Sequence, residues 1–140
     1  MVNPNKQRGD RAERAVRDFA GARYPGSFKT RAGFDDDLGD VIVEHPAGRV
    51  VAQVKDVGAP KWREWYDGLK GQVQTCLRKS QRHVLGGVIV WKYRGKSDPA
   101  HWHAVVPFAD LLDLLDNTYA AGHAEGYDRR AADEYTREHG

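Results

Sequence analysis

The run "DVIVEHPAGRVVAQVK", residues 40–55, constrains the fold of this chain more than any other stretch. Two valine-rich segments flank a Pro-Ala-Gly connection. Pro46 and Gly48 suit the second and fourth positions of a type I turn. A hairpin connected by His45-Pro46-Ala47-Gly48 pairs Glu44 with Arg49, Ile42 with Val51 and Asp40 with Gln53. Side chains alternate along a strand, so Asp40, Ile42, Val51, Gln53 and Lys55 share one face. Val41, Val43, Val50, Ala52 and Val54 share the other, an apolar set suited to a core. A two-residue turn shifts the pairing and preserves both faces. The first face gathers an acid, an amide and an amine beside two apolar residues. Ile42 and Val51 imply that this face is covered as well, where a charge is costly unless paired.

The rest of the chain supplies elements to cover such a ribbon. Ala12, Ala15, Val16, Phe19 and Ala20 recur at helical spacing between Gln7 and about Tyr24, and "YPG" at 24–26 ends that helix. "SFKTRAGF" reads as a strand and "DDDLG" as an acidic loop. After "GAP", the residues Trp62, Trp65, Tyr66, Leu69, Val73, Cys76 and Leu77 form a strong amphipathic stripe. "HVLGGVIVWKY" reads as a buried strand, "RGKSDPA" as a turn, and "HWHAVV" as a strand returning antiparallel. "PFADLLDLLDNTYAAG" opens with a proline at a helix N-terminus and carries leucines at helical spacing. The expected order is α-β-β-β-α-β-β-α, an α/β (α+β) architecture with a mixed sheet covered by helices. At 140 residues it amounts to one domain, residues 1–122, followed by a polar tail, 123–140.

Charge is small in sum and uneven in place. The net formal charge is +2, yet residues 1–34 hold eight basic residues against three acids and residues 110–140 three against eight. Such a basic start fits either a polyanion footprint or a solvated helix face. The single cysteine, Cys76, excludes an internal disulfide framework and a Cys-based zinc site. No apolar run reaches the roughly 18 residues of a membrane span, and no signal-peptide core follows the first residue. A cytoplasmic protein without a membrane partner is expected.

Asp40, Gln53 and Lys55 together suit phosphodiester hydrolysis. That reaction uses an oxygen-bound divalent cation, an activated water, and charge beside the leaving oxygen. Mg²⁺ takes one or two carboxylates, with waters and phosphate oxygens completing its shell. It polarises the phosphate and lowers the pKa of its bound water. Asp40 offers the carboxylate, Gln53 a neutral carbonyl oxygen, the Val54 backbone carbonyl another, and Lys55 the positive charge. A polar strand face gives the same pattern with no chemistry at all.

The ordered set "RGDRAERAVRDFA … FKTRAG … GDVIV … VVAQVKDVG … GGVIVWKYRGK … WHAVVPFADLLDLL" resembles the PD-(D/E)XK nuclease superfamily. Within it, the chain is similar to archaeal-type Holliday junction resolvases and their phage-encoded relatives, over roughly residues 6–116. The resemblance implies a restriction-endonuclease-like fold and a metal-dependent endonuclease using Mg²⁺ or Mn²⁺. It also implies a homodimer acting on branched DNA such as a four-way junction. Asp40 matches the motif aspartate, Lys55 the motif lysine, and Glu13 a helix-1 glutamate that approaches the metal. Glu13 lies three and seven residues before Val16 and Ala20, bordering the buried stripe; pairing with Arg17 at i+4 is the plain alternative. Arg8, Arg31 and Lys29 match basic positions that contact the DNA backbone, and Lys6 and Arg11 on helix 1 are expected to hold phosphates with them. Gln53 departs from the resolvase pattern, which has glutamate there, and matches the Gln-x-Lys motif of Mrr-type endonucleases. It removes one negative charge, so weaker or more selective metal binding follows. Two rival readings remain: an Mrr-like or nicking nuclease on duplex DNA, and a catalytically silent DNA-binding module.

Other groups carry less. His101 and His103 share a face if "HWHAVV" is one strand, and they lack a third ligand. Asp35, Asp36 and Asp37 read as a solvated loop. Gln72 and Gln74 read as helix surface, although some relatives place a helper glutamine there. Trp62, Trp65 and Tyr66 serve a core or a dimer contact more readily than a nucleic-acid platform.

Overall fold

Asn3 starts the first helix. A computed structural model of the protein describes residues 3–31 and 38–124, and α1 spans Pro4–Arg23. The Asn3 side chain accepts from the Asn5 N–H, and Pro4 takes the position where a missing N–H costs nothing. The helix therefore begins three residues before Gln7, where the apolar spacing places it. Ala12 and Val16 are its buried residues, and Tyr24 closes it by donating to the Ala20 carbonyl.

Next come β1 (Phe28–Lys29), β2 (Val41–His45) and β3 (Gly48–Lys55). β1 is shorter than "SFKTRAGF" suggests, and residues 32–37 lie outside the described part of the chain. β2 and β3 pair antiparallel with Glu44 opposite Arg49 and Ile42 opposite Val51, the register expected from the sequence. Pairing continues to His45 opposite Gly48, so Pro46 and Ala47 form a two-residue turn that keeps this register instead of shifting it. α2 (Trp62–Lys79) crosses over to β4 (Val84–Trp91), which runs parallel to β3. A single 3₁₀ turn (Pro99–His101), β5 (His103–Val105) and α3 (Phe108–Ala124) follow. The five strands lie in the order β1-β2-β3-β4-β5, a mixed α+β sheet with the expected sequence of elements. The final residues of the tail, from 125 on, lie outside the described part.

Both faces of the central ribbon are covered. Ile42 and Val51 pack with Trp65, Leu69, Cys76, Val84 and Ile89 beneath α2. Val41, Ala52 and Val54 pack with Ala12, Val16 and Trp102 beneath α1. The α2 stripe is thus spent on the sheet: Trp65 is buried, and the Trp62 ring meets those of Trp65 and Trp91 edge-on. Gly87 on β4 admits this close approach, because a Cβ there would lie 2.6 Å from Val73 Cγ2 and 2.9 Å from Leu69 Cδ1. α3 is bound more lightly, through Ala121 against Leu85 and Ala47, and through the Asn117 amide donating to the Leu85 carbonyl. Phe108, Leu111, Leu112, Leu115 and Tyr119 on α3 are exposed. Among the described residues no helix is long and apolar enough to cross a membrane.

At the turn end the hairpin is fastened to the start of β4. Arg49 pairs with Glu44 at 2.5 Å, and its guanidinium donates to Ser80 Oγ at 2.7 Å. Arg82 pairs with the same glutamate and donates to the His45 carbonyl. The opposite end of the hairpin carries the polar groups singled out above.

Candidate active site

Asp40 lies where β2 gives out. Its N–H still donates to the Ala52 carbonyl at 3.0 Å, and its own carbonyl accepts from Thr30 N, also at 3.0 Å. The Thr30 hydroxyl bonds the Gly39 carbonyl beside it. Gly39 has φ 103°, and a Cβ there would sit 2.6 Å from Val51 Cγ1, so the approach to Asp40 requires glycine. The Asp40 carboxylate then turns onto β3, where Oδ2 accepts from the Val54 N–H at 2.8 Å. Within a strand, the N–H and C=O of one residue point to the same side. The Val54 carbonyl therefore faces the edge where Asp40 sits, whereas the Lys55 carbonyl faces β4 and accepts from Lys92 N.

Glu13 approaches from α1, half-buried, with its carboxylate 3.1 Å from the Lys29 ammonium. Its pKa is raised above the usual value, first by burial and then by the negative charge of Asp40; Lys29 opposes both. The two carboxylates therefore lie close enough to feel each other. Arg17 pairs with its neighbour Asp18 and leaves Glu13 to this cluster. Lys29 also lies 3.9 Å from Asp10, so the structure commits this predicted DNA contact to balancing the acids. Lys6, Arg8 and Arg11 are exposed on the first turns of α1, and Arg31 is exposed beside the undescribed segment.

Gln53 and Lys55 lie across the sheet, on the α2 side. Gln53 is 5% exposed; its Nε2 donates to Gln72 Oε1 at 3.2 Å, and its own Oε1 is buried with no hydrogen-bond partner. An acceptor so placed is costly to leave unmet. Lys55 is half-buried, its Nζ 5.5 Å from the centre of the Trp65 ring, a cation–π contact that holds the amine at the strand end. The structure thus brings Asp40 to Val54 with Glu13 approaching from α1, while Gln53 and Lys55 are held on the α2 side. Asp40 lies beyond the last ladder pair, Val41 with Ala52, and turns onto the Val54 N–H instead of sharing one face with Gln53 and Lys55 as alternation predicts.

The donors suit a hard cation. Two interacting carboxylates, a backbone carbonyl at the sheet edge and a partnerless amide oxygen are all oxygen ligands of the kind Mg²⁺ accepts with waters. No group of three or more His, Cys, Asp or Glu among the described residues forms a ready-made cage. His101 and His103 do not form a chelating pair on one strand. His101 ends the 3₁₀ turn, and His103 opens β5 against the rings of Trp91 and Tyr93. Asp35, Asp36 and Asp37 lie outside the described residues.

Two features differ from what the sequence suggested or were missed by it. Gln72, which reads as helix surface, is half-buried and holds the Gln53 amide. Its signal was present: it stands three residues after Leu69 and four before Cys76, at the border of the apolar stripe. Gln74 is exposed. The second feature is a basic cleft of about 620 Å³ beyond Lys55, between α1 and the turn after β4.

Compared with family models, with curated proteins and with solved structures, the chain matches none.

Proposed function

We propose that this chain is a divalent-metal-dependent DNA endonuclease of the PD-(D/E)XK type, acting on branched DNA as a Holliday junction resolvase. The observation that carries the reading is the Asp40 carboxylate fixed onto β3 at Val54, beside a Glu13 whose own pKa is raised by burial and then by the Asp40 charge. An acid pair of this kind is unfavourable by itself and becomes favourable around a cation. Asp40, Glu13 and the Val54 carbonyl are the groups that would hold Mg²⁺ or Mn²⁺, and Gln53 Oε1 would join them by turning from the α2 side toward the end of β3. When bound, the ion polarises the scissile phosphate and makes water acidic. The chain's own part is to hold that geometry. Val54 N–H orients Asp40, Gln72 orients Gln53, and the Lys55 ammonium, steadied by Trp65, faces the attacking water or the departing oxygen. Lys6, Arg8 and Arg11 hold DNA phosphates, and Lys29 joins them once a cation replaces it beside Glu13.

A homodimer belongs to the same reading, because a junction needs two symmetric cuts. The aromatic stripe of α2 is taken up by the core, so the exposed apolar side of α3 is the surface to test for self-association. Two observations favour a second reading, the silent DNA-binding module. Lys29 already neutralises Glu13, and Gln72 already engages Gln53.

Purified protein mixed with a synthetic four-way junction or a matched linear duplex, in Mg²⁺ or Mn²⁺, separates these readings. Paired, symmetric junction cuts that vanish in Asp40→Asn are expected. Cutting of the linear duplex at equal rate moves the assignment to an Mrr-like nuclease. Tight binding without cleavage in either metal sinks the enzyme.

A further inference from the structure

The cleft beyond Lys55 has a composition that the metal site does not explain. Arg8 and Arg11 line one wall from α1, and Lys92 and Arg94 line the other from the turn after β4. The only acid among its lining residues is Asp56, 3.7 Å from the Lys92 ammonium. Among the described residues no acid pairs with Arg8, Arg11 or Arg94. Three guanidinium groups thus converge on one concavity with their charge unspent. Such groups match phosphate oxygens in geometry as well as charge.

The turn wall is held firmly. The buried Trp102 donates from Nε1 to the Lys96 carbonyl at 2.8 Å, and Lys92 lies over its ring. Arg94 reaches across Gly58, where even a methyl group would come 3.1 Å from the guanidinium. Tyr93, also on the cleft, is 48% exposed, and its ring is braced edge-on by His103 at 5.1 Å. An aromatic side chain that is fixed yet half open, among cations, suits a nucleobase. A base buried in a duplex stack cannot reach it, whereas an unpaired base can.

The cleft also adjoins the candidate metal site. Asp56 follows Lys55 directly, the Lys55 carbonyl accepts from Lys92 N at 2.9 Å, and Arg11 stands two residues before Glu13 on the same helix.

We infer that this cleft is a single-strand subsite, receiving a DNA strand whose base is unpaired. Arg8, Arg11 and Arg94 take the phosphates, and Tyr93 stacks on the base. The inference deepens the nuclease reading, on which it rests for its purpose: it selects substrates that unstack next to the cut, at a branch or a flap. Its test needs no cleavage. Anisotropy of a labelled oligothymidylate of about ten nucleotides, within the span such sites cover, is measured against a blunt duplex of equal length, with the full chain in EDTA. The single strand binds more tightly. Tyr93→Ala weakens it by about five- to a hundred-fold and Tyr93→Phe restores it. Arg94→Gln and Arg8→Gln each lower the salt slope by about one. Circular dichroism confirms that each variant is folded. Equal affinity for both DNAs, or Tyr93→Ala and Arg94→Gln binding as tightly as the parent, overturns the subsite. Cleavage assays in Mg²⁺ judge the nuclease reading separately. A chain that binds single strands through Tyr93 and never cuts retains the subsite and loses the enzyme.

Discussion

Asp40 has two duties that different substitutions separate. Its carboxylate accepts from the Val54 N–H, and it contributes charge beside Glu13. Val54 is 7% exposed, so its N–H has no ready water once that acceptor is gone. An orphaned buried donor costs about 1–3 kcal/mol. For a domain of this size 1 kcal/mol is about 3–5 °C in Tm. Asp40→Ala in EDTA therefore melts about 3–15 °C below the parent. Asp40→Asn keeps an oxygen acceptor for Val54 and stays within about 1 kcal/mol of the parent. In metal the order of damage changes. A cation at a hundred times its Kd stabilises the parent by about 2.7 kcal/mol, and both variants lose that increment. Scanning calorimetry with and without Mg²⁺, on all three proteins, reads both effects. If Asp40→Ala melts with the parent in EDTA, the bond to Val54 does not anchor the strand end. If Asp40→Asn still gains the full Mg²⁺ increment, Asp40 is not a ligand and the site is misassigned.

Three further outcomes follow from neighbouring groups. Gln53→Glu removes the donor to Gln72 and buries a carboxylate, so stability in EDTA falls by about 1–3 kcal/mol. Added Mg²⁺ restores it with tighter binding than the parent, and a melt that metal leaves unmoved counts against Gln53 as a ligand. Glu13 has a folded pKa above its ordinary 4.5, so its protonated form stabilises the metal-free fold below 4.5, and that contribution disappears as pH rises through the folded pKa. A bound cation needs the ionised form, so the Mg²⁺-induced shift in Tm grows as pH rises above 4.5 through the raised folded pKa. Glu13→Gln flattens that dependence; an unchanged slope removes Glu13 from the metal. Gly87→Ala forces a methyl group against Val73 and Leu69, and urea unfolding should show a loss of about 1–3 kcal/mol; a gain in stability would mean that α2 is not tightly seated on β4.

The parts legible in the sequence are those where one local rule decides. Alternation and a Pro-Ala-Gly turn set the register and the apolar faces of the hairpin, though not the place of Asp40, which leaves the ladder and turns onto Val54, and the α2 stripe required a sheet beneath it. Covered by α1 on one side and α2 on the other, the hairpin leaves no polar strand face, as Ile42 and Val51 implied. The parts hidden in the sequence depend on partners far away along the chain. Lys29 reads as a free cation until α1 places Glu13 beside it. Gln72 reads as solvated until Gln53 reaches it from another element. The cleft joins the start of α1 to the turn after β4, and no spacing rule connects Arg8 with Arg94. The antiparallel strand expected over "HWHAVV" forms, but later than its pattern suggests: Asp98 accepts from the Ala100 N–H and starts a 3₁₀ turn through His101, so the strand begins at His103.

The double covering of β3 bears on how the chain could be redesigned. Every residue from Val51 to Val54 is buried, and the ends of the strand are tied to Glu44 and Lys92. A change of side chain there alters packing and chemistry together, so the strand offers few independent adjustments. Arg8, Arg11 and the loop of residues 93–97 lie on the surface and contribute little to either core. New substrate preferences are therefore easier to obtain on those two walls, by selection or by design, while the strand between them stays as it is.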